Sequence, residues 1–185
     1  MAILFTADLH LGHKKILNTR TKFKNIQEHD EYLLERWNAK VKDQDEVYIL
    51  GDLSFRASQH ISSYLCRMRG RKRLIVGNHD QDWMEGEELS LYFETVNHLK
   101  TLELENRQIT LCHYPMLEWA GSRSDKTGTS CLIHGHIHAI TDSEVYRYIQ
   151  KYLPYALNAG VDVNHFQPVT FEELKENCDV WYKRR

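Results

Sequence analysis

The chain has 185 residues, of which 42% are hydrophobic, and a formal net charge of −2 at pH 7. This length is enough to bury one substantial core, so we expect a single domain over residues 1–185. A net charge near zero gives no overall basic field, so we expect no extended nucleic-acid binding surface.

The first half of the chain alternates short apolar runs with segments of helical spacing. The apolar runs predict buried strands at residues 3–7, 47–50 and 74–76. Between them, residues 28–41 and 58–68 repeat apolar side chains every three or four positions, as one face of a helix does. This β-α-β-α-β order predicts a parallel sheet with crossover helices.

The second half of the chain begins with a predicted hairpin. Residues 95–105 and 108–113 predict two antiparallel strands joined by a tight turn at Asn106-Arg107. Shorter apolar runs predict two further strands, at residues 131–134 and 156–161. The fold class expected from these elements is α/β.

Two other segments of the second half carry clear signals. Thr170, followed three positions later by Glu173, predicts the capping box of a last helix. Residues 118–130 contain glycine, serine and threonine without an apolar period, so they predict a long surface loop. Long loops next to motifs often contribute to function.

Five short polar motifs each follow a predicted strand. They are Asp8-Leu9-His10, Gly51-Asp52, Gly77-Asn78-His79-Asp80, His113, and Gly135-His136-Ile137-His138. Strand ends that lie on one edge of a sheet can bring such residues together. The donor atoms are carboxylates, imidazoles and one amide oxygen, a set that suits manganese, iron, nickel, cobalt or zinc.

In this order the motifs resemble those of the calcineurin-like metallophosphoesterase superfamily. Residues 6–13 and 158–163 are similar to a group of small bacterial and phage phosphoesterases within it. The resemblance implies a four-layer αββα sandwich, in which two mixed β-sheets are flanked by helices. It covers most of the chain.

The resemblance also implies a site for two divalent metal ions. The ligands it implies for the first ion are Asp8, His10, Asp52 and His138. Those for the second are Asp52, Asn78, His113 and His136, so that Asp52 would bridge the two ions. A hydroxide between the ions would attack phosphorus, and His79 would protonate the leaving group. We expect manganese, with iron, nickel, cobalt or zinc as alternatives.

Five further residues are candidates on weaker signals. Asp80 could support His79 in catalysis or simply cap its loop, and the sequence leaves both readings open. Candidate substrate contacts are His13, Arg56, Tyr114 and Trp119. For Arg56 a plain surface position is an equal alternative, and for the two aromatic residues a loop-anchoring role is the commoner case.

The second motif continues as Gly-Asp-Leu-Ser-Phe-Arg-Ala and lacks the second aspartate of the protein phosphatases, which disfavours a phosphoprotein substrate. The leading hypothesis is therefore a phosphomonoesterase or phosphodiesterase that acts on a small or nucleotide-like substrate. The alternatives are a nuclease of the same superfamily and a non-catalytic metal-binding scaffold. The sequence does not indicate an oligomeric state.

The expected location is the cytoplasm. The N-terminus lacks the basic region and long apolar stretch of a secretory signal, and no apolar run is long enough to span a membrane. The four cysteines form no CxxC pair, so we expect reduced thiols.

Overall fold

Two four-stranded sheets form the centre of the protein. The structure is a computed structural model, and it describes residues 1–183. The strands of the first sheet, in spatial order, are β1 (Ile3–Thr6), β2 (Glu46–Leu50), β3 (Arg71–Ile75) and β4 (Phe93–Asn97), all parallel. Those of the second are β5 (Leu99–Leu104), β6 (Arg107–Cys112), β7 (Ser130–His134) and β8 (Ala156–Asn158). Only the β5–β6 pair of this second sheet is antiparallel.

Helices complete the described part of the chain. The α-helices are α1 (Ile26–Lys40), α2 (Ser62–Leu65), α3 (Gln81–Met84), α4 (Glu144–Tyr152) and α5 (Phe171–Trp181), and two 3₁₀ helices lie at Lys14–Asn18 and Leu89–Leu91. Within residues 1–183, no helix has the length and apolar character needed to cross a membrane.

Side chains that alternate along β1 divide the interior into two cores. Leu4 packs with Leu33 and Trp37 of α1, whereas its neighbour Phe5 packs with the second sheet and with Leu174 of α5. This division follows from the strand period of two, which sends successive side chains to opposite faces. The layers are therefore helix, sheet, sheet and helix, and the predicted α/β fold class is confirmed.

The sheets differ in one respect from the expectation that both would be mixed. The first sheet is parallel throughout its four strands, and its antiparallel element is a single bridge between Phe5 and Val169. The capping box of the last helix is confirmed, since Thr170 and Glu173 exchange side-chain and backbone hydrogen bonds.

The predicted strand at residues 95–105 is wrong. The structure divides it at His98 into β4 of the first sheet and β5 of the second. An alternating pattern shows that a segment is extended but not which sheet it joins, so the crossing leaves no signal. The hairpin itself is confirmed, but its turn residues are Glu105 and Asn106, both with positive φ, as a two-residue type I′ turn requires.

Other elements also differ from expectation. Only Ser62–Leu65 of the predicted helix at residues 58–68 is α-helical, and the predicted strand at 156–161 ends at Asn158. Helix α4 was not predicted. Its apolar residues at 145, 148, 149 and 152 do have the spacing of one helix face, but Val145, Tyr148 and Tyr152 on that face are exposed, whereas Tyr146 and Ile149 are buried.

Candidate metal centre

The five polar motifs meet at one edge of the two sheets. Asp52 follows β2, Asn78 follows β3, His113 follows β6 and His136 follows β7. Because β1, β2 and β3 are parallel and β6 is parallel to β7, their carboxyl ends point the same way. This is the edge at which ligands bind in open α/β sheets.

The backbone at this edge is strained. Five of the predicted ligands have φ between 49° and 71°, in the left-handed region that side-chain-bearing residues rarely adopt: Asp8, His10, Asp52, His136 and His138. Such strain costs of order 1–3 kcal/mol per residue and persists only where the surroundings enforce it. Because this strained conformation occurs at five of the predicted ligands, it indicates a functional site at this edge of the sheets.

Glycine allows three of the motifs to approach one another closely. A Cβ atom on Gly77 would lie 2.5 Å from Oδ1 of Asp52, and one on Gly51 would lie 2.5 Å from Nδ1 of His113. Neither position can accept a side chain without moving a candidate ligand. These glycines therefore bring the second, third and fourth motifs together.

The first group of candidate ligands consists of Asp8, His10 and His138, which offer atoms within 4.8 Å of one another. Nε2 of His10 lies 3.2 Å from Nε2 of His138. His138 donates from Nδ1 to the carboxylate of Asp162 at 3.1 Å, so in the neutral ring its Nε2 carries a lone pair. That lone pair faces His10, and a cation between the two rings would satisfy it.

The second group is formed by Asn78, His113 and His136. Oδ1 of Asn78 lies 3.0 Å from Nε2 of His113 and 3.0 Å from Nδ1 of His136. His113 donates from Nδ1 to the carbonyl oxygen of Leu50 at 2.8 Å, so the Nε2 of the neutral ring carries a lone pair. The lone pairs of Oδ1 of Asn78 and Nε2 of His113 face each other, and a cation between these two atoms could bind to both.

Asp52 lies between the two groups. Its Oδ2 is 3.6 Å from Nε2 of His10 and 3.6 Å from Nε2 of His113, and its Oδ1 accepts a hydrogen bond from the backbone N–H of His79 at 3.0 Å. The buried Asp8, Asp52 and His113 also offer atoms within 4.8 Å of one another. The donor set of both groups contains oxygen and imidazole nitrogen but no thiolate, which fits divalent ions such as manganese, iron or zinc.

Burial disfavours charge on several of these groups. It raises the pKa of Asp8 to about 6, and it lowers the pKa of His10 well below its usual range. Burial and the nearby His113 lower the pKa of His136 as well. Burial lowers the pKa of His138 too, but the hydrogen bond to Asp162 and the negative charges of Asp8 and Asp162 outweigh this effect, so its pKa is raised overall. Neutral imidazoles are the form that binds a metal ion.

His79 lies beside the two groups rather than in them. Its Nε2 is 3.9 Å from Oδ2 of Asp52, and its ring packs against that of Phe55, with 4.0 Å between the centroids and an angle of 38° between the ring planes. The ring of His13 lies 5.4 Å from that of His10 and 5.1 Å from that of Phe55. The side chains of His79, His13 and Phe55 therefore line one side of the site. The ring of His79 is only half-buried.

Asp80 is fully buried and holds two of the motif loops together. Its Oδ2 accepts from the backbone N–H groups of Asp52 at 3.0 Å and Gly77 at 2.7 Å. Its Oδ1 accepts from the N–H of Leu53 and from Nε1 of Trp83, both at 2.9 Å. Burial raises the pKa of Asp80, but only the ionised form can accept all four hydrogen bonds.

Of the two readings left open for Asp80, the geometry gives it the loop-holding one. None of its hydrogen bonds in the described part of the chain comes from the His79 ring. It is a positioning residue for the loops that carry Asp52 and Asn78.

Two of the remaining candidate substrate contacts lie at the site. The exposed ring of Tyr114 is 4.8 Å from that of His136. The guanidinium of Arg56 lies 4.9 Å above the ring of Phe55. Trp119 does not fit the predicted role: its Nε1 donates to Oγ of Ser130 at 3.0 Å, and its ring packs on the core of the second sheet. It anchors the loop instead.

Sequence reasoning missed three residues of the site. Asp162 contacts the ring of His138, Arg20 contacts Asp162, and Phe55 packs against the ring of His79. Asp162 lies within residues 158–163 and Phe55 follows the second motif, so both had a weak signal. Arg20 had none, since its partners are distant in sequence.

Comparison with known proteins agrees with this geometry. The pattern of the calcineurin-like phosphoesterase superfamily domain matches residues 1–161. The gene 66 protein of Mycobacterium phage L5 is 31% identical over an alignment of 166 positions, and the alignment covers 73% of this chain and 76% of that protein. The gene 66 protein of Mycobacterium phage D29 is 30% identical over 94% of each chain.

A solved structure shows the same fold. A protein of unknown function from Aquifex aeolicus superposes with a TM-score of 0.71 and 26% identity, over 94% of this chain and 97% of that one. Together with the domain match, which covers most of the chain, this places the protein in a family that generally binds two divalent metal ions. The chain belongs to the calcineurin-like phosphoesterase superfamily, a superfamily of metal-dependent phosphoesterases.

Proposed function

We propose that the protein is a two-metal-dependent phosphoester hydrolase, either a phosphomonoesterase or a phosphodiesterase, for a small or nucleotide-like substrate. The observation that carries this proposal is the pair of ligand groups that face each other across Asp52. Two divalent cations bound there would supply an activated water at neutral pH and neutralise charge on the phosphoryl oxygens.

The residues divide between the two ions according to their distances. Asp8, His10 and His138 would hold one ion, and Asn78, His113 and His136 would hold the other. Asp52 would touch both, because its Oδ2 is equally far from the nearest nitrogen of each group. We propose manganese as the native metal, with iron, nickel, cobalt or zinc as alternatives.

His79 is the proposed general acid. It is half-exposed, it lies beside Asp52, and neither ligand group uses its ring nitrogens. The hydrogen bond from its backbone N–H to Asp52 and the contact of its ring with Phe55 hold it in position. Donation of its proton to the departing oxygen is worth about 10²–10⁴-fold in rate.

The surroundings of the site favour a small substrate. The basic side chains of residues 67–73 include Arg67, which pairs with Glu31, and Arg73, which pairs with Glu46 at 3.1 Å. Arg69 and Arg71 also have acidic partners, and Nζ of Lys72 donates to backbone carbonyl oxygens, so these side chains do not form a free cationic track for nucleic acid. The exposed Tyr114 beside His136 offers an aromatic face for a base or an aryl leaving group.

The decisive experiment combines metal analysis with a substrate panel in added Mn²⁺. The panel compares a phosphomonoester, a bis-ester, cyclic nucleotides and short single-stranded DNA. We expect two metal equivalents per chain and turnover of a small ester. Cleavage of DNA alone would favour a nuclease, and the absence of bound metal would favour a non-catalytic scaffold.

The variant His79→Ala tests the general acid, with His98→Ala as its control because His98 is exposed and lies outside the motifs. His79→Ala should keep its metal and lose about 10²–10⁴-fold in turnover of a poor leaving group, with a smaller loss for p-nitrophenolate. Equal losses for good and poor leaving groups would contradict the acid role.

A further inference from the structure

A carboxylate from outside the five motifs contacts one of the candidate ligands. Oδ2 of Asp162 accepts a hydrogen bond from Nδ1 of His138 at 3.1 Å. The same segment holds the backbone of that residue, because Nδ2 of Asn158 donates to the carbonyl oxygen of His138 at 2.8 Å. Two residues of the segment 158–162, which follows the last motif, therefore hold His138 by hydrogen bonds, one at its ring and one at its backbone.

A buried arginine holds Asp162 in turn. Nε of Arg20 donates to Oδ1 of Asp162 at 2.7 Å, and Nη2 donates to Oδ2 at 2.9 Å. This two-pronged geometry fixes both the position and the plane of the carboxylate. The pair carries no net charge, so it orients the His138 ring without adding charge to the site.

The remaining N–H groups of Arg20 bind the first motif and a buried histidine. Nη2 donates to the carbonyl oxygen of Asp8 at 2.6 Å, and Nη1 donates to that of Leu9 at 2.8 Å. Nη1 also lies 2.8 Å from Nε2 of His29. All five N–H donors of the guanidinium therefore have an acceptor, and Arg20 is 3% exposed. A side chain so completely satisfied has one orientation.

This arrangement joins the two ends of one ligand group. Asp8 and His10 come from the first motif and His138 from the last, 128 residues away from His10. A neutral imidazole can carry its proton on either nitrogen, and only the Nδ1–H form leaves Nε2 of His138 for a metal ion. A carboxylate on Nδ1 selects that form and also raises the basicity of the ring.

Resting on the proposed function, we infer that Asp162 is a positioning residue that fixes the tautomer and ring orientation of His138, and that Arg20 aligns Asp162 with the backbone of the first motif. The effect is local to one of the two metal ions. The group formed by Asn78, His113 and His136 has its own support, since His113 is held by the carbonyl oxygen of Leu50.

The test compares Asp162→Asn with Asp45→Asn. Asp45 is also a buried carboxylate, but it precedes β2 whereas the site follows it, about 16 Å away along a five-residue strand. Binding of Mn²⁺ is titrated by calorimetry on both full-length variants, and their thermal stability is recorded. We expect Asp162→Asn to bind one Mn²⁺ normally and the other about 10–100-fold more weakly. Asp45→Asn should bind both as the wild type does.

A second measurement observes the tautomer of His138 directly in the wild-type protein. In the ¹⁵N-histidine-labelled wild-type protein loaded with diamagnetic Zn²⁺, His138 should show a protected Nδ1–H proton in a hydrogen bond to a carboxylate. Its signal is assigned by its loss in His138→Gln. In Asp162→Asn the signal should shift or vanish, and in Asp45→Asn it should stay.

Each outcome decides the inference. A weakened single ion together with the protected proton supports it. Unchanged affinity for both ions, an equal loss at both, or the absence of the proton from the wild type overturns it. A wild-type chain that binds no metal would instead overturn the proposed function, so the two failures are distinguishable.

Discussion

Replacing Asp80 by asparagine should destabilise the protein severely, although the two side chains have almost the same shape. In asparagine an NH₂ group replaces one carboxylate oxygen. That NH₂ group cannot accept a hydrogen bond, so the two N–H donors that this oxygen served are left without an acceptor. Either Asp52 and Gly77 or Leu53 and Trp83 lose their partner, depending on the orientation of the amide. Hydrogen bonds to a charged group are worth about 1.5–3 kcal/mol each, so the loss of two costs about 3–6 kcal/mol.

Urea unfolding followed by circular dichroism measures this cost. With a slope of about 2 kcal/mol/M, the midpoint of Asp80→Asn should fall by about 1.5–3 M. The control is Asp82→Asn, two positions along, whose exposed carboxylate accepts one backbone hydrogen bond, from Arg56 at 2.9 Å. It should lower the midpoint by less than about 0.5 M, since the asparagine oxygen can still accept that bond.

Metal binding should follow stability in this series, because the loops that Asp80 joins carry Asp52 and Asn78. Asp80→Asn should therefore bind Mn²⁺ more weakly even where it is fully folded. A midpoint for Asp80→Asn no lower than that of Asp82→Asn would refute the reasoning, since the four donors would then not depend on the carboxylate.

Three further predictions concern other parts of the molecule. Tyr114→Ala should raise KM for aryl or nucleotide esters with kcat almost unchanged. Tyr148→Ala removes a ring of the same 45% exposure that belongs to none of the five motifs, and it should leave both constants as they are. Gly77→Ala should lower the free energy of unfolding, measured in urea, by about 1–3 kcal/mol and should weaken Mn²⁺ binding, because its Cβ would press on the side chain of Asp52. Unaltered Mn²⁺ binding would contradict this, since it would show that the two loops can separate without moving the ligand. N–H groups of Ala2 and Lys42 hold the pKa of Asp45 below its usual value. The ionised carboxyl therefore stabilises the fold above about pH 4, and this stability is lost as the pH falls through the folded pKa. Accordingly, Tm of Asp45→Asn should lie below that of the wild type at pH 7, and the gap should close in acid; a gap independent of pH would contradict this.

The site was more predictable than the fold around it. The motif ligands are polar residues placed directly after apolar strands, and both features are local, so the sequence displays them in order. The chemistry of carboxylate, imidazole and amide donors is also a property of residue type. The division of residues 95–105 between two sheets was not visible, because strand alternation is the same on either side of His98.

The roles of single side chains next to the motifs depended on tertiary contacts. Trp119 lies only a few residues from His113, yet it points to Ser130 and the core. Asp80 belongs to a motif, yet its hydrogen bonds go to backbone that is 27 or 28 residues away as well as to its own loop. For each of them the sequence left a functional and a structural role open, and packing favours the structural one.

By itself, the sequence determined the family, the α/β class and the identity of the candidate ligands, since each depends on residue types and short spacings. Only the tertiary structure decided how the ligands are held. Arg20 meets Asp162 across 142 residues, and His10 meets His138 across 128. Contacts of this range depend on the order and direction of strands in the sheets, and no local pattern encodes them.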